Sequence, residues 1–216
     1  MNASDALIKT LVNNGLEVIF ANPGTSEMHL VASIDNNPEI RPVLGLFEGV
    51  VTGAADGYAR MAEKSAANLL HLGPGLGNGF ANIHNAKKAR SPLINIVGDH
   101  ATYHLKHNAP LTSDLDNLAK SASDWVGRSN TTEDICDLAN LAWQQANSLP
   151  GQISTLIIPA DCAWGEFKGN IPKPLQKKEF DPIDEKLISN SIEILKKDNS
   201  ISVSYTHLTL PTNREV

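Results

Sequence analysis

Short apolar runs alternate with stretches of helical periodicity from Ser4 to Pro159. Leu7, Ile8, Leu11 and Val12 recur at helix spacing behind Ser4, an N-cap residue, and Gly15 ends that helix. Strands are predicted at Val18 to Ala21, Val43 to Leu46, Asn68 to Leu72, Leu93 to Val97, near Trp125-Val126, and at Ser154 to Ile158. Helices are predicted from about Ser26 to Ile34, after Glu48, between a glycine-rich loop and about Arg90, from Ser113 to Lys120, and from Thr132. Asp99 to Pro110 reads as an irregular loop.

Strands alternating with helices imply an α/β fold. The expected architecture is a doubly wound, about six-stranded parallel sheet with helices on both faces. One domain should cover 1–166. From 167 to 183 the chain turns to Lys, Pro and polar residues and reads as a linker. Leu187, Ile188, Ile192 and Leu195 then begin a new amphipathic helix, so 184–200 reads as the start of a second domain that breaks off. Residues 201–216 read as a non-native tail, with a genuine terminal strand as the alternative.

Composition changes little in this picture. At 41% hydrophobic residues the 216-residue chain can bury a core. A net charge of −6 and the lack of a basic stripe give no reason to expect nucleic acid. No apolar run spans a bilayer, and the N-terminus lacks a basic signal-peptide start, so a cytoplasmic location without membrane contact is expected. Cys136 and Cys162 are read as free thiols, too few for a zinc site.

Glu48 is the only charge between Arg41 and Asp56, set in the run Val43-Leu44-Gly45-Leu46-Phe47-Glu48-Gly49-Val50-Val51. A lone acid where a buried strand meets a helix is either a side chain reaching solvent or a chemical tool. Two further loops lie at strand ends, where open α/β sheets bind ligands. Asn22-Pro23-Gly24-Thr25-Ser26-Glu27 offers hydroxyls and backbone N–H groups at a helix start, suited to an anion or simply to capping. Gly73-Pro74-Gly75-Leu76-Gly77-Asn78-Gly79 could let a flat ligand lie on bare backbone. A dinucleotide fingerprint fails there, because Asn78 or Phe80 stands where glycine is needed; a Rossmann dehydrogenase remains a remote alternative. His71, before that loop, is either structural or a proton shuttle opposite Glu48. His100, His104 and His107 read as a solvated or interface loop rather than a metal site, and no metal ligands are assigned.

Together these residues resemble the pyrimidine-binding domain of thiamine diphosphate enzymes, in the group of acetolactate synthase and benzoylformate decarboxylase. The matching pieces are Phe20-Ala21-Asn22-Pro23-Gly24, Glu48, Gly53-Ala54-Ala55-Asp56-Gly57-Tyr58-Ala59-Arg60, Gly73-Pro74-Gly75 with Asn78, Pro92 and Gly98. The resemblance covers roughly Ser4 to Trp164. It implies that Glu48 bonds the cofactor's aminopyrimidine and so helps remove the thiazolium proton. It implies cofactor contacts from Asn22, Pro23, Gly24, Gly73, Gly75 and Asn78. His71 would be catalytic, as in benzoylformate decarboxylase, while Thr25 or Ser26 would face a 2-oxo acid substrate. The wording of Gly73-Pro74-Gly75 is closer to acetolactate synthase. The family holds the diphosphate and Mg2+ in a C-terminal domain with a Gly-Asp-Gly motif, which this sequence lacks. The expected parent is a homodimeric or homotetrameric decarboxylase or carboligase, and the chain alone should be inactive. The alternative is a non-catalytic pyrimidine-domain subunit working with a separate diphosphate-binding chain.

Overall fold

The computed structural model describes residues 1–175, 182–197 and 199–201. The chain divides into two units, Met1–Leu175 and Gln176–Val216. In the first unit the order is α1 (Ala3–Asn13), β1 (Val18–Asn22), α2 (Met28–Asp35), β2 (Arg41–Leu44), α3 (Glu48–Ala62), β3 (Ala66–His71) and α4 (Leu72–Ala89). Then follow β4 (Leu93–Asp99), α5 (Leu115–Ala122), β5 (Trp125–Arg128), α6 (Ile135–Ala146), β6 (Ile153–Pro159) and α7 (Ala160–Trp164). The second unit contains α8 (Glu185–Leu195), capped by Asp184, with its apolar positions exposed. The proposed tail lies outside the described residues from 202 onward.

Strand alternation sends every second side chain to the same layer. Ile19, Ala21, Ala67, Leu69, Ile94, Ile96, Leu156 and Ile158 meet α1, α2 and α6. Val18, Phe20, Ala66, Leu70, Leu93, Val97, Ile153 and Ile157 meet α3, α4 and α5. The six strands pair in parallel in the order β2-β1-β3-β4-β6-β5. The expected doubly wound fold is therefore present. Chain order reverses between β1 and β3, which opens a crevice at their carboxyl ends.

Several local expectations are corrected. Asn2, not Ser4, caps α1 by accepting the Asp5 N–H at 2.7 Å; Ser4 is buried in the helix, where its hydroxyl donates to Ala163. β2 starts at Arg41 and ends before Gly45. The glycine-rich stretch is helix, not loop: β3 passes straight into α4 through Leu72, whose φ of +52° is left-handed. Glycine costs about 1 kcal/mol per helix position, so packing has overridden propensity here. The run Val43 to Phe47 is not a buried strand either. β2 is the sheet edge, and Leu44, Leu46 (91% exposed), Phe47 and Val50 face outward.

The Asp56 region of the resemblance is an anchor for α3. Asp56 pairs with Arg60 through two bonds, at 2.9 and 2.6 Å, and also accepts from the Ser91 hydroxyl just before β4. Among the described residues no helix is long and apolar enough to cross a membrane.

Candidate active site in the crevice between β1 and β3

Glu48 is the first residue of α3, where a carboxylate complements the helix dipole. It is half-buried rather than enclosed, because the apolar run around it faces away from the chain's own core. The Asn78 side-chain amide donates to its Oε2 at 3.0 Å. One turn further along, Asn82 donates to the Gly49 carbonyl at 2.6 Å, and the Thr52 hydroxyl lies between the Glu48 carbonyl of its own helix, at 2.9 Å, and the Gly79 carbonyl, at 3.1 Å. The bare backbone of α4 thus lets α3 approach and fixes the place of Glu48. A Cβ at Gly75 would stand 3.6 Å from Oε1 of Glu48 and 3.6 Å from Cβ of His71. These two side chains therefore flank one glycine.

His71 ends β3, and its Nδ1 lies 2.7 Å from Oε2 of Glu27. Glu27 is 0% exposed; the same oxygen accepts the Gly24 N–H at 2.7 Å, while Oε1 is buried without a partner. Burial is the largest influence on Glu27 and pushes its carboxyl above the usual range; Gly24 and His71 partly oppose this. The His71 ring lies flat against Gly24, where any side chain would overlap it.

The other expected residues divide between roles. The Asn22 amide donates to the Gly45 carbonyl at 3.1 Å, tying the end of β1 to the segment after β2. Gly73 is pressed against Ser113, so its bareness serves packing. Pro23 follows Asn22 in the turn that carries Gly24 to the His71 ring. Thr25 and Ser26 open a 3-10 turn and line a shallow pocket of about 240 Å3 with His100, Ala101, Tyr103, His104, Ala160 and Trp164. His100, His104 and His107 form a row of tilted rings 5.6 and 5.5 Å apart. Among the described residues no group of three or more His, Cys, Asp or Glu side chains could hold a metal ion.

Residues 1–119 match the model of the thiamine pyrophosphate enzyme, N-terminal TPP binding domain. The chain belongs to this family. A candidate acetolactate synthase large subunit of Mycobacterium tuberculosis, IlvX, is 57% identical over 166 residues, covering 77% of this chain and 32% of the relative. Benzoylformate decarboxylase of Pseudomonas aeruginosa is 32% identical over 157 residues, covering 72% and 29% respectively. The chain thus spans about a third of the length of these relatives. A candidate thiamin diphosphate-dependent enzyme from Mycobacterium smegmatis superposes with a TM-score of 0.81 at 25% identity, covering 90% of this chain and 37% of that one. The 4-hydroxybenzoylformate decarboxylase of Rhodococcus jostii RHA1 has a TM-score of 0.78 at 23% identity, with the same coverage, and shows the shared fold.

Within this TPP-binding domain, Glu27 is the residue that sequence reasoning passed over. It reads as the acid of a capping turn, and it does bond the Gly24 N–H. Nothing in the linear pattern announces a partner 44 positions away.

Proposed function

We propose that this chain forms the pyrimidine side of a thiamine diphosphate site in an enzyme that decarboxylates or joins 2-oxo acids, as acetolactate synthase large subunits do. The observation that carries this reading is Glu48, held by Asn78 over the bare backbone of Gly75 at the β1/β3 crevice. The missing Cβ keeps the backbone bare between Glu48 and His71. The donor set suits an aminopyrimidine: Asn78 occupies Oε2, and Oε1 stays available to share a proton with a ring nitrogen. Bound thiamine diphosphate supplies an acidic ring carbon and an electron sink for loss of carbon dioxide. Gly75 forms the floor, Gly24 makes room for the His71 ring, Asn78 orients Glu48, and His71 moves protons beside them. Thr25 and Ser26 bind the substrate from the pocket they line. Asn22 and Gly73 support this geometry from behind rather than by contact.

The diphosphate and Mg2+ belong, in this reading, to a second domain. The exposed Leu44, Leu46, Phe47, Val50 and Met61 form the face that a partner chain covers, in a homodimer or a higher assembly, which would also exclude water from Glu48. A lyase of the benzoylformate decarboxylase kind is the second reading, favoured by His71 standing at the same glycine as Glu48.

The test is Glu48→Gln in the intact enzyme. Turnover of a 2-oxo acid should be nearly abolished with the fold retained; wild-type turnover would remove Glu48 from the mechanism. Product analysis with pyruvate separates the two readings, since a synthase releases acetolactate and a lyase releases an aldehyde. The chain alone, titrated with thiamine diphosphate and Mg2+, should show little binding by calorimetry. Micromolar affinity would refute the two-domain arrangement.

A further inference from the structure

We propose that Glu27 sets the tautomer and proton load of His71, so that the two act as one relay whose exchanging atom is Nε2. The use of that atom in the reaction rests on the function proposed above; the pairing itself does not.

The turn needs only one bond from Glu27, the one that Oε2 accepts from Gly24. A solvent-facing acid could make it. Here the whole side chain is buried, which penalises an ionised group that lacks compensation. Two positions are cut back to admit the pair. A side chain at Gly98 would overlap the Glu27 carboxyl, and one at Gly24 would overlap the imidazole of His71. Gly98 pairs with His71 across β3 and β4, so the carboxyl sits beside the histidine's own strand register. Oε1 meets no donor, so Oε2 is the atom through which the pair communicates.

Proton accounting fixes the roles. With Glu27 ionised and His71 neutral, the single imidazole proton lies on Nδ1, where it bonds Oε2 at 2.7 Å. Nε2 then carries a lone pair. It makes no hydrogen bond among the described residues and is not sealed from solvent. When Nε2 takes a proton from a donor, an N–H bond forms there and the donor keeps its electron pair. The imidazolium charge is balanced by Glu27, with the second proton shared between Nδ1 and Oε2. Returning the proton reverses each change. Glu27 is therefore a positioning residue, and His71 the exchanging one.

The other charges facing His71 are few. Glu48 approaches across Gly75. Asp99, next to Gly98, is tied to Arg128 at 2.6 Å.

The experiment is nitrogen-15 NMR of the imidazoles in the full 216-residue chain. Neutral His71 should carry its proton on Nδ1. In Glu27→Gln, proton affinity at His71 should fall at least tenfold, while Glu48→Gln should leave the tautomer unchanged. A neutral His71 protonated on Nε2 in the wild type would overturn the inference. So would a Glu27→Gln titration curve superimposable on wild type. Should Glu27→Gln not fold, the wild-type tautomer alone decides. Because no cofactor is needed, failure here leaves the Glu48 reading standing, and an active Glu48→Gln enzyme leaves this pairing standing.

Discussion

Oε1 of Glu27 occupies the space that a side chain at Gly98 would need. Gly98 lies in the middle of the sheet, fully buried in β4, where glycine has no conformational advantage. Its value is the room it leaves for a carboxyl.

Gly98→Ala should therefore destabilise the fold by about 1–3 kcal/mol, the usual range for overpacking. The strain comes from one neighbour. Combining it with Glu27→Ala should recover much of the loss, as a favourable coupling in a double-mutant cycle followed by urea unfolding. Strict additivity would show that the crowding lies elsewhere.

Burial raises the Glu27 carboxyl above its ordinary value of 4.5. The unfolded chain ionises first, so this group lowers stability as pH rises from about 4.5 through its folded value. Glu27→Gln removes the effect. Its melting temperature relative to wild type should rise across that window, with the smallest difference below pH 4.5. A difference independent of pH would mean that Glu27 carries no burial penalty.

The layers were legible because alternation is a local signal. Val18 and Phe20 against Ile19 and Ala21 already state which residues share a face, and the structure sends them to opposite cores. The stripe Ile135, Ala139, Ala142 and Ala146 on α6 is equally local. Edge position is not local. Val43 to Phe47 has the same composition whether covered by its own chain or left outside, and only the strand order reveals that it is left outside. The glycines of α4 read as loop because propensity disfavours helix there. Gly79 packs on Thr52 of α3 and Gly73 on Ser113 ahead of α5, and neither contact is local in sequence. Within the candidate site, Glu48 stood out as an isolated acid. Glu27 did not, since its meaning lies in a histidine 44 positions away, at the end of the neighbouring strand β3.

Cys136 and Cys162 are free and buried, and burial is the main cause raising both thiols. Thiolate is the reactive form, so both should be slow towards an aromatic disulfide reagent in the native chain. Two thiols should react quickly once the chain is unfolded in urea. Fast labelling of either under native conditions would contradict their placement.

Asn78 separates positioning from folding. Its side chain is exposed and donates to Glu48 at 3.0 Å, so removing it costs the fold little. Surface changes of this kind usually stay within about 0.5 kcal/mol. The function proposed for Glu48 depends instead on which oxygen faces the ring. Asn78→Ala frees the carboxylate to rotate, and a small misplacement of a reacting group can cost about a hundredfold in rate. In the intact enzyme, Asn78→Ala should keep the melting temperature while turnover falls tenfold or more. Asn78→Asp should be worse, because it replaces the donor with a second carboxylate facing Glu48. Gln at this position, whose longer amide can still donate, should retain more activity than either. If all three variants matched wild type in turnover, the bond seen between Asn78 and Glu48 would have no part in orienting the acid.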